Sequence, residues 1–335
     1  MDILLLLFIF FILCSTRWYK IGNFNEGYLS MDNCGRLRGM MAITIILHHI
    51  SEKTSGAVLF PQLVHVGYMI VAIFFFLSGY GLMFQYMKKG VGYLQGFWKS
   101  RVLYLLLVYA WITGLYIIYR TFVLGNADLN LVLRSFYDGN PIATNSWYIV
   151  VLLAFYAIFW FSFNHGGAIP KCIVLVTVST VLFSLLLWVV GYPSIWYLSN
   201  FAFPLGLFYA YKKEKILSYC TRRYVFVIAV LLLTFGIACT ISSVFATMFV
   251  ACSVTLIVIV LMMKFRFVGK IWSWIGSLSL EIYLLHAIPM TFFRSKFVYI
   301  DNDVNWTLCV VLTAIALAFC SKYINLYIHS QLKKQ

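Results

Sequence analysis

Stretches of about 20 apolar residues recur along the whole length of this 335-residue sequence. A helix of that length crosses about 30 Å of hydrocarbon, so these stretches are typical of membrane spans. Only 10% of the residues are charged, compared with about 25% in an ordinary soluble domain, and a water-soluble fold could not cover this much apolar surface. The pattern predicts an all-α, polytopic transmembrane helical bundle of about 11 spans, centred near residues 9, 45, 75, 112, 154, 181, 202, 232, 254, 284 and 316.

The basic residues predict how this bundle is oriented. Lys and Arg in short loops mark the cytoplasmic side of a membrane. With the N-terminus outside and the C-terminus in the cytoplasm, all but five of the 25 basic residues lie in cytoplasmic loops; the exceptions are Lys53, Arg120, Arg134, Arg294 and Lys296. We therefore predict a multi-pass protein of the inner (plasma) membrane. The net charge of +15 reports this topology and not a nucleic-acid partner, because the sequence has no soluble basic face or arm.

Residues 1–30 are predicted to form an N-terminal transmembrane helix and a linker. The apolar run DILLLLFIFFILC has no basic segment before it and no small-residue cleavage site after it, which favours a retained anchor over a signal peptide. The eight cysteines form no CxxC pair and show no metal-ligand spacing. The cysteines are therefore predicted to be buried small hydrophobic residues or reduced cytosolic thiols, and no bound metal is predicted.

The second span, CGRLRGMMAITIILHHISE, carries Arg38, His48, His49 and Glu52. Burial of an ionisable side chain in the bilayer costs at least a few kcal/mol, so each of these residues is expected to have a structural or functional role. Arg38 and His49 share one helix face about 16 Å apart along the axis, and His48 lies about 80° off that face. A guanidinium can hold phosphates, and an imidazole can accept a proton near neutral pH.

This arrangement predicts a groove for a nucleotide-linked thioester, with phosphates at the cytosolic mouth and the reacting carbonyl near His49. Glu52, three residues after His49, could orient the imidazole and stabilise its protonated form. The alternative interpretation stays open: Arg38 as a positive-inside anchor, His49 hydrogen-bonded within the bundle, and Glu52 at the outer water interface.

The third span, IFFFLSGYGL, is interrupted by Ser78, Gly79 and Gly81. Small residues let helices approach closely, so they indicate either packing alone or the wall of a narrow tunnel. The following basic loop contains Lys99 and Arg101, which are a second candidate phosphate contact or simply further anchors.

Two later segments supply further candidates. GSLSLEIYLLHAIP places Glu281, Tyr283 and His286 in one span, and a carboxyl group there must find a partner or stay protonated. Trp147, at the start of a predicted helix, could stack on a sugar or anchor the helix at the interface.

In these segments the sequence resembles the membrane-bound acyltransferase family 3 of envelope O-acyltransferases. RGMMAITIILHH matches the family's Arg-Gly segment with ten residues between Arg38 and His49. FFFLSGYGL, NSWYIVVLLAFY, FAFPLG and SLEIYLLHAIP resemble four further family segments in the expected order. Two positions depart from the family's pattern: Gly35 stands where an acid is common, and Arg101 is followed by Tyr104 where a second Arg is common.

The resemblance implies a ten-helix acyltransferase domain, here residues 31–335, with one extra N-terminal helix. It implies transfer of an acyl group, usually acetyl, from cytosolic acetyl-CoA to a hydroxyl of a carbohydrate or lipid-linked glycan, with His49 as the essential base and Arg38 as its companion. The catalytic candidates are thus His49, Arg38 and Glu52. Candidates for contact with CoA are Arg38, Lys99 and Arg101, and candidates for contact with substrate are Ser78, Trp147, Glu281, Tyr283 and His286.

We hypothesise that His49 removes the proton of the acceptor hydroxyl while the hydroxyl oxygen attacks the thioester carbonyl. In a variant of this mechanism, the acyl group is first transferred to a histidine and relayed across the membrane. No permanently bound cofactor is expected. A transporter or flippase of an envelope lipid or sugar explains the spans and the buried ionisable groups equally well, but not the spacing from Arg38 to His49. A b-type cytochrome would need His49 and His286 at one depth on facing helices. The acceptor, the acyl chain and the oligomeric state are left open.

Overall fold

The computed structural model describes residues 1–125, 130, 134–135 and 138–334. It is 77% helical, which confirms the predicted all-α class. We number its helices α1 Asp2–Cys14, α2 Met31–Ser51, α3 Gly67–Lys89, α4 Tyr104–Tyr119, α5 Trp147–Phe163, α6 Ile169–Val190, α7 Ala202–Arg222, α8 Tyr224–Cys239, α9 Val244–Met262, α10 Lys270–Ser277, α11 Ser279–Leu285, α12 Ala287–Phe292 and α13 Asp303–Lys334. Two short strands, β1 Thr16–Trp18 and β2 Phe265–Phe267, pair antiparallel.

The described helices give fewer certain spans than the sequence predicts. Five are long and apolar enough to cross a membrane, and the number rises to seven if each of two bent pairs, α7 with α8 and α10 with α11 and α12, counts as one span. Each predicted centre falls within a helix, the one near residue 202 at the first residue of α7. The count of about 11 is not confirmed, because α1 and α5 have only 13 and 17 residues and α2 carries several charged side chains.

One end of the bundle, which we call the ribbon face, is built around β1 and β2. Arg17 pairs with Arg266 in the two-stranded ribbon. The start of α2 is attached there, since the Asn33 side-chain oxygen accepts a hydrogen bond from Phe267 N at 2.9 Å and Arg36 donates to Phe267 O at 2.9 Å. The first turns of α2 therefore lie at the ribbon face.

The other end, the Asp2 face, is where α2 finishes. The Asp2 carboxylate accepts hydrogen bonds from three consecutive backbone N–H groups in the loop after α2, those of Val58, Leu59 and Phe60, at 2.8–3.0 Å. Farther along α1, Phe8 and Phe11 contact the Trp272 ring at 6.1 and 5.3 Å between centroids. The N-terminal helix is thus packed against the body of the bundle and runs from the Asp2 face to the ribbon face.

Glycines set the closest helix contacts. Gly79 of α3 lies against the backbone of Phe203, and Gly206 of α7 lies against the backbone of Phe76, so the two helices meet at a reciprocal pair of glycines. Gly39 of α2 lies in the same way against α10. Such contacts are the usual device for close helix packing in lipid, where hydrophobic burial between helices gives little driving force.

Candidate active site

Helix α2 carries the principal candidates, and hydrogen bonds at its first turn hold it in place. Its first turn is capped by the Ser30 hydroxyl, which accepts a hydrogen bond from Asn33 N at 3.3 Å. Asn33 donates in turn to Tyr28 O at 2.9 Å. With its axis fixed, the helix presents Arg38 near the ribbon face and His49 near the Asp2 face, as the eleven-residue spacing predicts.

His49 and Glu52 form a hydrogen-bonded pair at the end of α2. The distance from His49 Nδ1 to the nearer Glu52 carboxylate oxygen is 3.1 Å, and the two side chains are 19% and 40% exposed. Partial burial raises the pKa of Glu52, but the hydrogen bond from His49 and the positive charges of Lys53 and of His49 and His48 in their protonated forms outweigh this effect, so its pKa is lowered. An ionised Glu52 accepts a hydrogen bond from the Nδ1–H group of neutral His49. The other ring nitrogen of His49, Nε2, is then free to act as a base.

His286 stacks on His49, with 5.1 Å between ring centroids and 18° between the ring planes. Both nitrogens of this fully buried ring are engaged: Nδ1 lies 3.1 Å from Ile282 O and Nε2 lies 3.2 Å from Asn145 Nδ2. The carbonyl can only accept and the amide nitrogen can only donate, so His286 is neutral, with its proton on Nδ1. Two axial haem ligands need free ring nitrogens that point at one iron from opposite sides. The rings of His49 and His286 instead stack directly on each other, and both nitrogens of His286 have other partners, so this geometry does not fit the cytochrome alternative.

Asn145 is a site residue that sequence reasoning missed. It is the one non-glycine residue with positive φ, +67°, in the described part of the chain. Its strained backbone aims the amide at His286 while the residue lines the cavity around His49. Asparagine tolerates this conformation better than most residues. Its position before a predicted helix, however, does not indicate a contact with His286, which lies far away in the sequence.

A cavity of about 450 Å³ opens near the ribbon face. It is lined by Arg38 and Arg101, together with Ser78, Tyr148, Tyr156 and Tyr283. No acidic residue is among its lining residues in the described ranges. Two guanidinium groups without a carboxylate beside them favour an anionic ligand whose oxygens bind in pairs, such as phosphate or carboxylate.

A second cavity, of about 310 Å³, lies near the Asp2 face. Its lining includes His48, His49, Glu52, Asn145, Trp147 and Tyr283. Tyr283 lines both cavities, and its ring contacts Tyr148 at 5.1 Å and Phe74 at 6.5 Å between centroids. The structure therefore places Arg38 and His49 in two cavities that approach each other from opposite faces and meet at an aromatic barrier.

The small residues of α3 divide between the two interpretations given above. Gly79 packs against α7, whereas Ser78 and Gly81 line the ribbon-face cavity. An added Cβ at Gly81 would meet nothing within 4 Å. Close packing therefore accounts for Gly79, whereas Ser78 and Gly81 form part of a cavity wall.

Three candidates line neither cavity: His286, whose ring stacks on His49, and the residues Lys99 and Glu281. Lys99 is among the lining residues of neither. Glu281 is 1% exposed and faces α13, where it accepts a hydrogen bond from Asn325 at 2.8 Å and lies 3.7 Å from Lys322 Nζ. The predicted partner of this carboxyl group therefore exists, but it belongs to a helix contact. Because neither of the two described cavities is lined by Glu281 or Lys99, substrate contact by Glu281 and CoA contact by Lys99 stay predictions.

One family of known proteins matches most of the chain. The family described as acyltransferase domain, acyltransferase family 3, matches residues 35–322. The match contains Arg38, His49 and Glu52, all of the lining of the Asp2-face cavity and most of the lining of the ribbon-face cavity. No curated protein and no solved structure matches the chain.

Proposed function

The chain belongs to acyltransferase family 3, as its motifs indicate, and on that premise we propose that it transfers an acetyl or other short acyl group from cytosolic acyl-CoA to a hydroxyl of an envelope carbohydrate or lipid-linked glycan. The observation that carries this proposal is the pair of cavities meeting at Tyr283, one with two arginines and the other with the His49–Glu52 pair. A transferase that uses reactants from opposite sides of a membrane needs such an arrangement.

In this proposal the ribbon face is cytosolic, as the basic loops predict, and its cavity binds the donor. Arg38 and Arg101 hold phosphate groups of CoA, because a guanidinium stays charged and binds phosphate oxygens in pairs. The pantetheine arm extends along α2 toward Tyr283. The separation of about 16 Å between Arg38 and His49 along the helix is of the order that such an arm spans.

The Asp2-face cavity binds the acceptor. His49 Nε2 takes the proton of the acceptor hydroxyl while the hydroxyl oxygen attacks the thioester carbonyl carbon. The C–S bond then breaks, and the CoA thiolate takes up the proton from the imidazolium. Glu52 keeps the Nδ1 proton in place and stabilises the imidazolium by its charge. Trp147 supplies an apolar face for a sugar ring.

The test is transfer of label from acetyl-CoA to envelope glycan by the purified protein in nanodiscs. Wild type should transfer label, and His49→Gln should lose transfer while still binding acetyl-CoA. His165→Gln, a change of the same kind at an exposed site, is the matched control and should behave as wild type. An active His49→Gln variant refutes the base role. Absence of acetyl-CoA binding by wild type refutes the donor site and favours a transporter of an envelope lipid or sugar.

A further inference from the structure

The end of α2 brings together three metal-binding side chains. His48, His49 and Glu52 offer ligand atoms that all lie within 4.8 Å of one another. Two imidazoles, one carboxylate and an open position form a ligand set that Zn²⁺ accepts in proteins. The sequence led to the prediction of no bound metal, because the cysteines show no metal-ligand spacing.

His48 is oriented as metal-binding histidines are. Its Nδ1–H donates to Leu63 O at 2.8 Å, so the lone pair of Nε2 remains free. Gly67 packs against Nε2 itself, since a Cβ built at Gly67 would meet Nε2 first and would lie 2.8 Å from both Cδ2 and Cε1. These distances place Gly67 over the face of the ring, so the lone pair of Nε2, which lies in the ring plane, points past Gly67 and toward Glu52. A backbone carbonyl that holds one ring nitrogen and so presents the other is the usual outer-shell partner of a histidine ligand.

The free lone pair faces an anion. His48 Nε2 lies 3.6 Å from one oxygen of Glu52, while the other oxygen lies 3.1 Å from His49 Nδ1. In the neutral tautomer that Leu63 fixes, the nitrogen and the carboxylate oxygen are both acceptors with no hydrogen between them. A cation between these two atoms would be bound by both.

We propose that the Asp2-face cavity binds one Zn²⁺ through His48 Nε2, His49 Nδ1 and the Glu52 carboxylate, and that the ion inhibits acyl transfer. Ligation of Nδ1 moves the proton of neutral His49 from Nδ1 to Nε2. That nitrogen then cannot accept the proton of the acceptor hydroxyl. Inhibition rests on the proposed function, whereas binding does not.

The binding experiment uses the full chain in nanodiscs, titrated with Zn²⁺ by calorimetry and with Co²⁺ by visible absorption. Wild type should bind one ion at micromolar concentration, with the absorption of a four-coordinate Co²⁺ site. His48→Gln should weaken binding at least about tenfold, whereas His65→Gln, an exposed histidine outside the cluster, should not. Lys53→Gln removes a like charge from the same cavity and should tighten binding roughly two- to fivefold, a gain that misfolding cannot produce.

Wild-type binding weaker than millimolar, or equal binding by wild type and His48→Gln, overturns the site. The activity arm separates the two proposals. If zinc-free wild type transfers no acyl group yet binds the ion as described, the proposed function fails and the metal site stands. If zinc-free wild type is active and saturating Zn²⁺ leaves its rate unchanged, the inhibitory role is wrong.

Discussion

Replacement of Gly79 by alanine should destabilise the bundle through one defined contact. A Cβ at Gly79 would lie 3.1 Å from the carbonyl carbon of Phe203, and closer still to its oxygen, where ordinary van der Waals contact begins near 3.4 Å. Both contacting atoms belong to backbone within helices, so neither can rotate away. The methyl group fits only if α3 and α7 move apart.

The expected cost of Gly79→Ala is about 1–3 kcal/mol of unfolding free energy, the range for adding a methyl group to a well-packed core. Gly81→Ala on the same helix is the matched control. Its Cβ would meet nothing within 4 Å, and alanine is favoured over glycine in a helix by up to about 1 kcal/mol. The two changes are chemically identical and should have opposite signs.

The assay is unfolding in nanodiscs, monitored by tryptophan fluorescence and by retention of the monodisperse peak in size-exclusion chromatography. Gly79→Ala should unfold at lower temperature than wild type, and Gly81→Ala at the same temperature or higher. Equal stability of the two variants would refute the close approach of α3 and α7 at Phe203. Gly206→Ala, the reciprocal position, should reproduce the effect of Gly79→Ala.

Three further predictions concern polar contacts. Asn145→Gly keeps the left-handed backbone but leaves Nε2 of buried His286 without a donor, so unfolding free energy should fall by about 1–3 kcal/mol; unchanged stability would show that this hydrogen bond is not formed. Because the pKa of Glu52 is lowered in the folded protein, ionised Glu52 stabilises the fold above pH 4.5, and this stabilisation is lost as the pH falls below 4.5 through the lowered value. The thermal unfolding temperature of Glu52→Gln should therefore fall less in acid than that of wild type; equal acid dependence of the two unfolding temperatures would contradict this. Asp2→Asn replaces a carboxylate that accepts three backbone N–H groups, and amide hydrogen exchange across residues 58–60 should be faster; an unchanged rate would argue against docking of α1.

The site predicted from the sequence is partly reproduced by the fold. Helical periodicity placed Arg38 and His49 on one face of α2, and the i, i+3 spacing paired His49 with Glu52 at 3.1 Å. These relations are local, since both residues belong to one helix whose geometry depends on the backbone alone. Local spacing could not name the partners of Glu281, because Asn325 and Lys322 belong to another helix.

The sequence by itself determined that this protein lies in a membrane, that it is helical, which family it belongs to and how the functional groups are ordered along α2. Hydrophobic runs and helical spacing are properties of short stretches of chain, so they can be recognised without the tertiary structure. Tertiary structure alone decided that His286 stacks on His49, that Asn145 fixes His286 and that Tyr283 separates two cavities. These contacts join residues more than 100 positions apart. They depend on which helices pack against each other, and this arrangement is set by the packing of the whole bundle.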